Sequence, residues 1–148
     1  MALTDLLKTE HVLLDIEAVS KEACIDQLTS AMEQTGVVHD ADAYKRAVLK
    51  REEEGTTGIG FGVAIPHGKS SGVSQPGLAF ARVTSDVDWE SLDGTPVRHV
   101  FLIAVPEEQA GNEHLQILSQ LSRKLMHEDF REKLQSATTI EELIGALE

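Results

Sequence analysis

The chain has one cysteine, Cys24, and 13 lysines and arginines against 25 aspartates and glutamates. A lone thiol builds neither an internal disulfide framework nor a cysteine-rich zinc site, and it suits a reducing compartment. The shortage of basic residues leaves a formal charge of −12. A chain this acidic repels phosphate backbones and anionic headgroups, so nucleic acids and membrane surfaces are disfavoured as partners. Long apolar runs are also missing. Val100 to Val105 is flanked by His99 and Pro106, far short of the ~20 residues needed to cross a bilayer. Asp5 and Lys8 stand where a secretory signal would carry a basic segment and an apolar stretch, so no signal is expected. What is present is 148 residues, 41% of them hydrophobic, enough for one domain over 1–148 with its own core. The expectation is an acidic cytoplasmic domain without direct membrane insertion.

Apolar patterning alternates between strand and helix. Val12 to Leu14 reads as a short strand. Ser20 reads as the N-cap of a helix carrying Cys24, Leu28, Ala31 and Met32, closed by Gly36. Asp40 caps the next, with the inward stripe Tyr44, Ala47 and Val48 at i, i+3 and i+4. A glycine-rich loop runs from Gly55 to Gly62, and the run Val63-Ala64-Ile65 should end at Pro66, which offers no N–H to a ladder, leaving His67 at the strand tip. Leu78 to Val83 is a strand with small residues on one face and Leu78 and Phe80 on the other. Val97 to Val105 has the pattern of a central strand covered on both faces. Trp89 reads as the anchor of a hairpin turning at Asp93-Gly94. Asn112 reads as the cap of a long helix with the stripe Leu118, Leu121 and Leu125, and Thr139 with Glu142 forms a capping-box signature for a last helix. The sum is an α/β domain around a covered sheet.

Two nucleotide motifs nearly appear and both fail on spacing. Gly58, Gly60 and Gly62 suggest a dinucleotide fingerprint whose third glycine would fall at Val63. Gly68-Lys69-Ser70 resembles the end of a P-loop whose first glycine would also fall at Val63.

Three residues stand out instead. His67 follows a strand stop and precedes Gly68, which leaves the ring open to close approach. Arg51, at i+7 from Tyr44, continues the inward stripe rather than joining the solvated side assigned to Lys50, Glu52 and Glu53. A guanidinium aimed inward needs an anion; the plainer readings are snorkelling at a helix end or a pair with Glu54. His114 sits in the first turn after Asn112 and heads the stripe Leu118–Leu121, where the helix N-terminus favours negative charge. Two histidines and an arginine near element ends suit a phosphoryl group or a carboxylate. Zinc is the competing reading of His67 and His114, but it lacks a third ligand at matched spacing and has an arginine as neighbour. His99 reads as a packed or edge residue, His11, His39 and His127 as solvated, and Cys24 as core.

The stretch from Arg51-Glu52-Glu53-Glu54-Gly55-Thr56-Thr57-Gly58 through Ile65-Pro66-His67-Gly68 closely resembles the active-site segment of enzyme IIA domains of the fructose/mannitol family, which belong to the bacterial phosphoenolpyruvate-dependent sugar phosphotransferase system. The segments Asn112 to Leu121 and Asp93-Gly94-Thr95-Pro96-Val97 resemble further parts of that family. The resemblance implies a mixed, roughly five-stranded sheet flanked by helices. It implies His67 as the phosphorylated residue, with Arg51 and His114 in the active site. It implies the phosphocarrier protein HPr as donor and a cysteine of an enzyme IIB as acceptor, with no metal and no cofactor. A neutral imidazole attacks phosphorus, and phosphoryl transfer needs placement and charge stabilisation. Arg51 and His114 are therefore expected to hydrogen-bond the phosphoryl oxygens, with Thr57 and the N–H groups around Gly58 and Gly60 as further donors. A fructose-type transporter component is favoured. The alternative is a nitrogen-type regulatory enzyme IIA, which shares the histidine and the fold and whose phosphorylation state controls partner proteins.

Overall fold

Side-chain caps begin three of the helices at the places that the sequence indicates. Ser20 Oγ accepts from the Ala23 N–H at 3.1 Å and starts α2 (Lys21–Gln34). Asp40 Oδ1 accepts from the Ala43 N–H at 3.1 Å and starts α3 (Ala41–Glu54). Thr139 Oγ1 accepts from the Glu142 N–H at 3.1 Å and starts α6 (Ile140–Ala146). Each cap satisfies an N–H that has no partner inside its helix. The computed structural model describes residues 3–108 and 113–148, and the side chains of these except 113 and 114. The cap expected at Asn112 lies outside the described residues. A short α1 (Leu3–Leu6) precedes β1 (Val12–Ile16).

The sheet is mixed, as the family resemblance implies. β5 (Gly77–Val87) and β6 (Val97–Pro106) form the antiparallel centre, and β1 runs parallel to β5. On the far edge of β6 lie β3 (Val63–Ala64) and β4 (His67–Ser70), both parallel to it, and β2 (Gly58–Gly60) pairs antiparallel with β3. Val63 faces His99 and His67 faces Ile103, the same offset in both ladders. β3 and β4 are therefore one strand line interrupted at Ile65-Pro66. This corrects the expectation of a strand ending at Pro66 with His67 at its tip. Proline does remove a donor, but its carbonyl still accepts from the Ile103 N–H at 3.0 Å, so pairing resumes at His67. The sheet accordingly has six strand segments in about five lines.

Alternation splits the core in two. Ala79, Ala81, Leu102 and Ala104 face α2 and α3, where Cys24, Leu28, Met32, Tyr44 and Val48 are buried. Leu78, Phe80, Phe101 and Ile103 face α1, α4 (Glu113–Leu125), α5 (Glu128–Ser136) and α6. Small residues on the first face let two long helices lie close; bulky ones on the second fill the space beneath shorter helices. α5 is a helix that the sequence reading did not separate from its neighbours. The turn between β2 and β3 is the two-residue Phe61-Gly62, with φ of 58° and 76°, the positive-φ pair that tight hairpins require.

Two histidines are more deeply placed than expected or carry more consequence. His11, read as solvated, is fully buried, with Nδ1 3.0 Å from Leu78 O and Nε2 2.6 Å from Thr35 Oγ1. His99 is 7% exposed and stacks on Phe80. Desolvation lowers both, and for His99 the Arg82 guanidinium adds to it, bringing that ring down to about 4. Each ring is neutral in the folded protein where the unfolded chain would protonate it. Stability should hold above the ordinary histidine value near 6.5 and fall as pH drops below it, levelling for His99 near 4. Between pH 7 and pH 5 the His99 share is about 2 kcal/mol. Urea unfolding at the two pH values measures it, and His99→Phe, which keeps the stack on Phe80, should flatten the dependence; an unchanged slope would refute it.

Candidate active site

Tyr44 and Gly68 determine how α3 meets β4. Tyr44 is fully buried and its hydroxyl donates to Ile103 O at 2.7 Å, the residue paired with His67. A Cβ on Gly68 would lie 2.8 Å from Val48 Cγ2 and 3.1 Å from the Val48 backbone N. Only glycine permits this approach, and it brings the last turns of α3 beside the start of β4. The same stripe that buries Tyr44 and Val48 then carries Arg51 to the edge of the sheet. Arg51 and His67 line one cavity of about 360 Å³ with Ala47, Lys50, Glu54, Gly68 and Lys69. Three cations and one carboxylate line it in a chain of net charge −12, so an anion is favoured here against the sign of the whole molecule.

The His67 ring is oriented by its own backbone: Nδ1 lies 3.1 Å from Ile65 O. A carbonyl oxygen only accepts, so in the neutral ring Nδ1 carries the proton and Nε2 carries the lone pair. Arg51 Nη1 donates to Gly55 O at 2.8 Å, which closes the C-terminus of α3. No carboxylate lies within ion-pair distance of it among the described residues, so the pair with Glu54 that was one reading of Arg51 is not formed. Its other N–H groups are available to an anion in the cavity. His114 belongs to α4, which covers the face of the sheet that β4 shares with Ile103; its side chain lies outside the described residues.

The further donors expected in the glycine loop do not reach this cavity. Thr57 is 3% exposed, and both its hydroxyl and its backbone N–H are directed at the Glu52 carboxylate. The Gly58 N–H donates to Thr56 Oγ1 at 3.0 Å, and a Cβ on Gly60 would lie 2.7 Å from Asp93 Oδ2, so these glycines pack the loop against residues 91–93. Thr57 and the Gly58 N–H are thus engaged within the loop. Glu52 departs from its expected place. Placed by sequence on the solvated side of α3, its side chain is 6% exposed. It sits at i+4 from Val48, so the inward stripe that identified Arg51 also contains Glu52. Cys24 is buried, and desolvation alone raises its thiol to about 12, which leaves it inert.

The chain matches the family model described as "Phosphoenolpyruvate-dependent sugar phosphotransferase system, EIIA 2" over residues 5–148. It is 44% identical over 147 residues to a fructose-specific EIIABC component of Bacillus subtilis, covering 99% of this chain but 23% of that protein. It is 44% identical over 139 residues to a fructose-specific EIIA component of Haloferax volcanii, covering 92% of this chain and 90% of that one. Among solved structures, the nitrogen regulatory protein IIA-Ntr from Neisseria meningitidis superposes with a TM-score of 0.89 at 36% identity, covering 98% of each chain. The mannitol enzyme IIA of Escherichia coli, in complex with phosphorylated enzyme IIB, superposes with a TM-score of 0.80 at 27% identity, covering 96% of this chain and 98% of that one.

Proposed function

The chain belongs to the EIIA 2 family of the phosphoenolpyruvate-dependent sugar phosphotransferase system, and on that premise we propose that it accepts a phosphoryl group from phospho-HPr on Nε2 of His67 and passes it to a cysteine of an enzyme IIB in the cytoplasm. As a family member it is a phosphotransferase component. The observation that carries the residue assignment is the cavity shared by His67 and Arg51, with Nδ1 tied to Ile65 O. The Nε2 lone pair attacks phosphorus while the bond to the donor's leaving atom breaks, and the donor atom keeps that electron pair. In the second half-reaction a thiolate of the partner attacks, and Nε2 leaves with its pair restored. Arg51 holds the equatorial oxygens throughout, so charge is matched without a proton being moved at phosphorus. His114, in the first turn of α4, is proposed as a second donor to those oxygens. No helix among the described residues is long and apolar enough to cross a membrane.

Fructose-type transport is the favoured pathway, supported by the 44% identity to two fructose-specific components. The regulatory reading is supported by the nitrogen regulatory structure, which this chain covers almost end to end. Purified protein, phospho-HPr and a panel of enzyme IIB proteins separate them: rapid onward transfer to a fructose-type IIB is expected. Phosphorylation of this chain without transfer to any IIB would favour the regulatory role, and no phosphorylation would overturn both.

A further inference from the structure

Glu52 presents its carboxylate to the side of α3 away from the His67 cavity, about 100° round the helix from Arg51. Two donors converge on each of its oxygens. Lys21 Nζ lies 3.2 Å from Oε2 and the Thr57 N–H 3.4 Å from it. The Thr57 hydroxyl donates to Oε1, and Trp89 Nε1 lies 3.4 Å from the same atom and 3.1 Å from Thr57 Oγ1. The Thr56 hydroxyl donates to Trp89 O at 2.6 Å. These bonds tie the last turn of α3 to the start of α2, to the residues leading into β2, and to the segment joining β5 and β6. The exit of α3 through Gly55 is therefore held from both sides: by Arg51 on Gly55 O and by Glu52 on Thr57.

We propose that Glu52 is a positioning residue of the phosphotransfer site, fixing the roll of the last turn of α3 and the path of residues 55–57 so that the Arg51 guanidinium is presented to the phosphoryl group on His67. This rests on the phosphocarrier reading of His67 and adds a residue that the motif does not mark as chemical. A buried carboxylate with four donors has two discrete outcomes: all partners in place, or a charge left uncompensated. That makes it a rigid reference for a guanidinium one residue away, where an error near 1 Å costs rate steeply.

Glu52→Gln keeps the shape but turns an amide N–H₂ toward donors. Transfer from phospho-HPr at saturating donor should slow about 10-fold with little change in the apparent KM. In an Arg51→Ala background the same substitution should add nothing, because the guanidinium it positions is gone. Thr57→Val cuts the same link without touching α3 and should reproduce the loss; it serves where Glu52→Gln folds poorly, with Trp89 fluorescence and thermal unfolding as checks. An undiminished rate in folded Glu52→Gln or Thr57→Val would overturn the proposal. So would an equal fold-loss with and without Arg51. Phosphate mapped on wild-type His67 by mass spectrometry keeps these outcomes separate from a failure of the phosphocarrier reading, in which His67 carries no label at all.

Discussion

His67→Ala is expected to take up no phosphoryl group from phospho-HPr while folding as the wild type does. The ring is half-buried at the first position of β4, and its own hydrogen bond runs to a carbonyl two residues back. β4 is held by backbone pairing with Ile103 to Pro106 and by the close seat of Gly68 on Val48, neither of which needs the imidazole. Losing the ring therefore removes the nucleophile and leaves both of these in place. Radiolabelled transfer with circular dichroism alongside reads both halves. In the wild type, nitrogen-15 and phosphorus-31 NMR should place the phosphate on Nε2, because Nδ1 is committed to Ile65 O. Labelling of the alanine variant would move the nucleophile elsewhere, and phosphate on Nδ1 would mean that the ring turns over before reacting.

The sequence exposes those parts of the fold and site in which one residue's chemistry dictates one geometry. The caps at Ser20, Asp40 and Thr139 and the two-faced β5 are of this kind. What stays hidden depends on residues distant in sequence. Pro66 looks like the end of a strand because its missing N–H is local information; that its carbonyl is taken by Ile103 is not. Glu52 looks solvated between Arg51 and Glu53, yet Lys21, Thr57 and Trp89 come to it from three other segments. Arg82 carries the same signal in the sequence as Arg51. It shares the inward parity of Leu78 and Phe80, so the same argument that singled out Arg51 applies. The structure answers it with Asp15, paired at 2.8 Å, and with the carbonyls of Leu134, Gln135 and Ala137 at the end of α5. An inward arginine is thus a signal for an anion or a helix terminus, and patterning alone does not choose between them. Arg51 lines a cavity with His67, whereas Arg82 is taken up by a carboxylate and a helix end.

That difference sets the expectation for Arg51→Ala. The substitution removes one hydrogen bond to Gly55 O, worth about 1 kcal/mol at a half-exposed helix end, so the protein should stay folded. Transfer should slow by roughly 10²-fold or more, as when one preorganised donor to a developing anion is deleted, which corresponds to about 2.7 kcal/mol of barrier. Arg51→Lys separates charge from geometry. A lysine restores a cation to a cavity that already holds Lys50 and Lys69, but a point charge does not reproduce a planar fork that can hold Gly55 O with one arm and a phosphoryl oxygen with another. Partial recovery in Arg51→Lys is therefore expected, with the rate remaining well below wild type. Rapid-quench measurement of transfer from phospho-HPr, taken at saturating donor, gives both numbers. Full recovery by lysine would show that the site needs a positive charge at position 51 and not the planar fork. Wild-type rates in both variants would make Arg51 a cap on the end of α3 and nothing more, leaving the anion site to His114 and the first turn of α4.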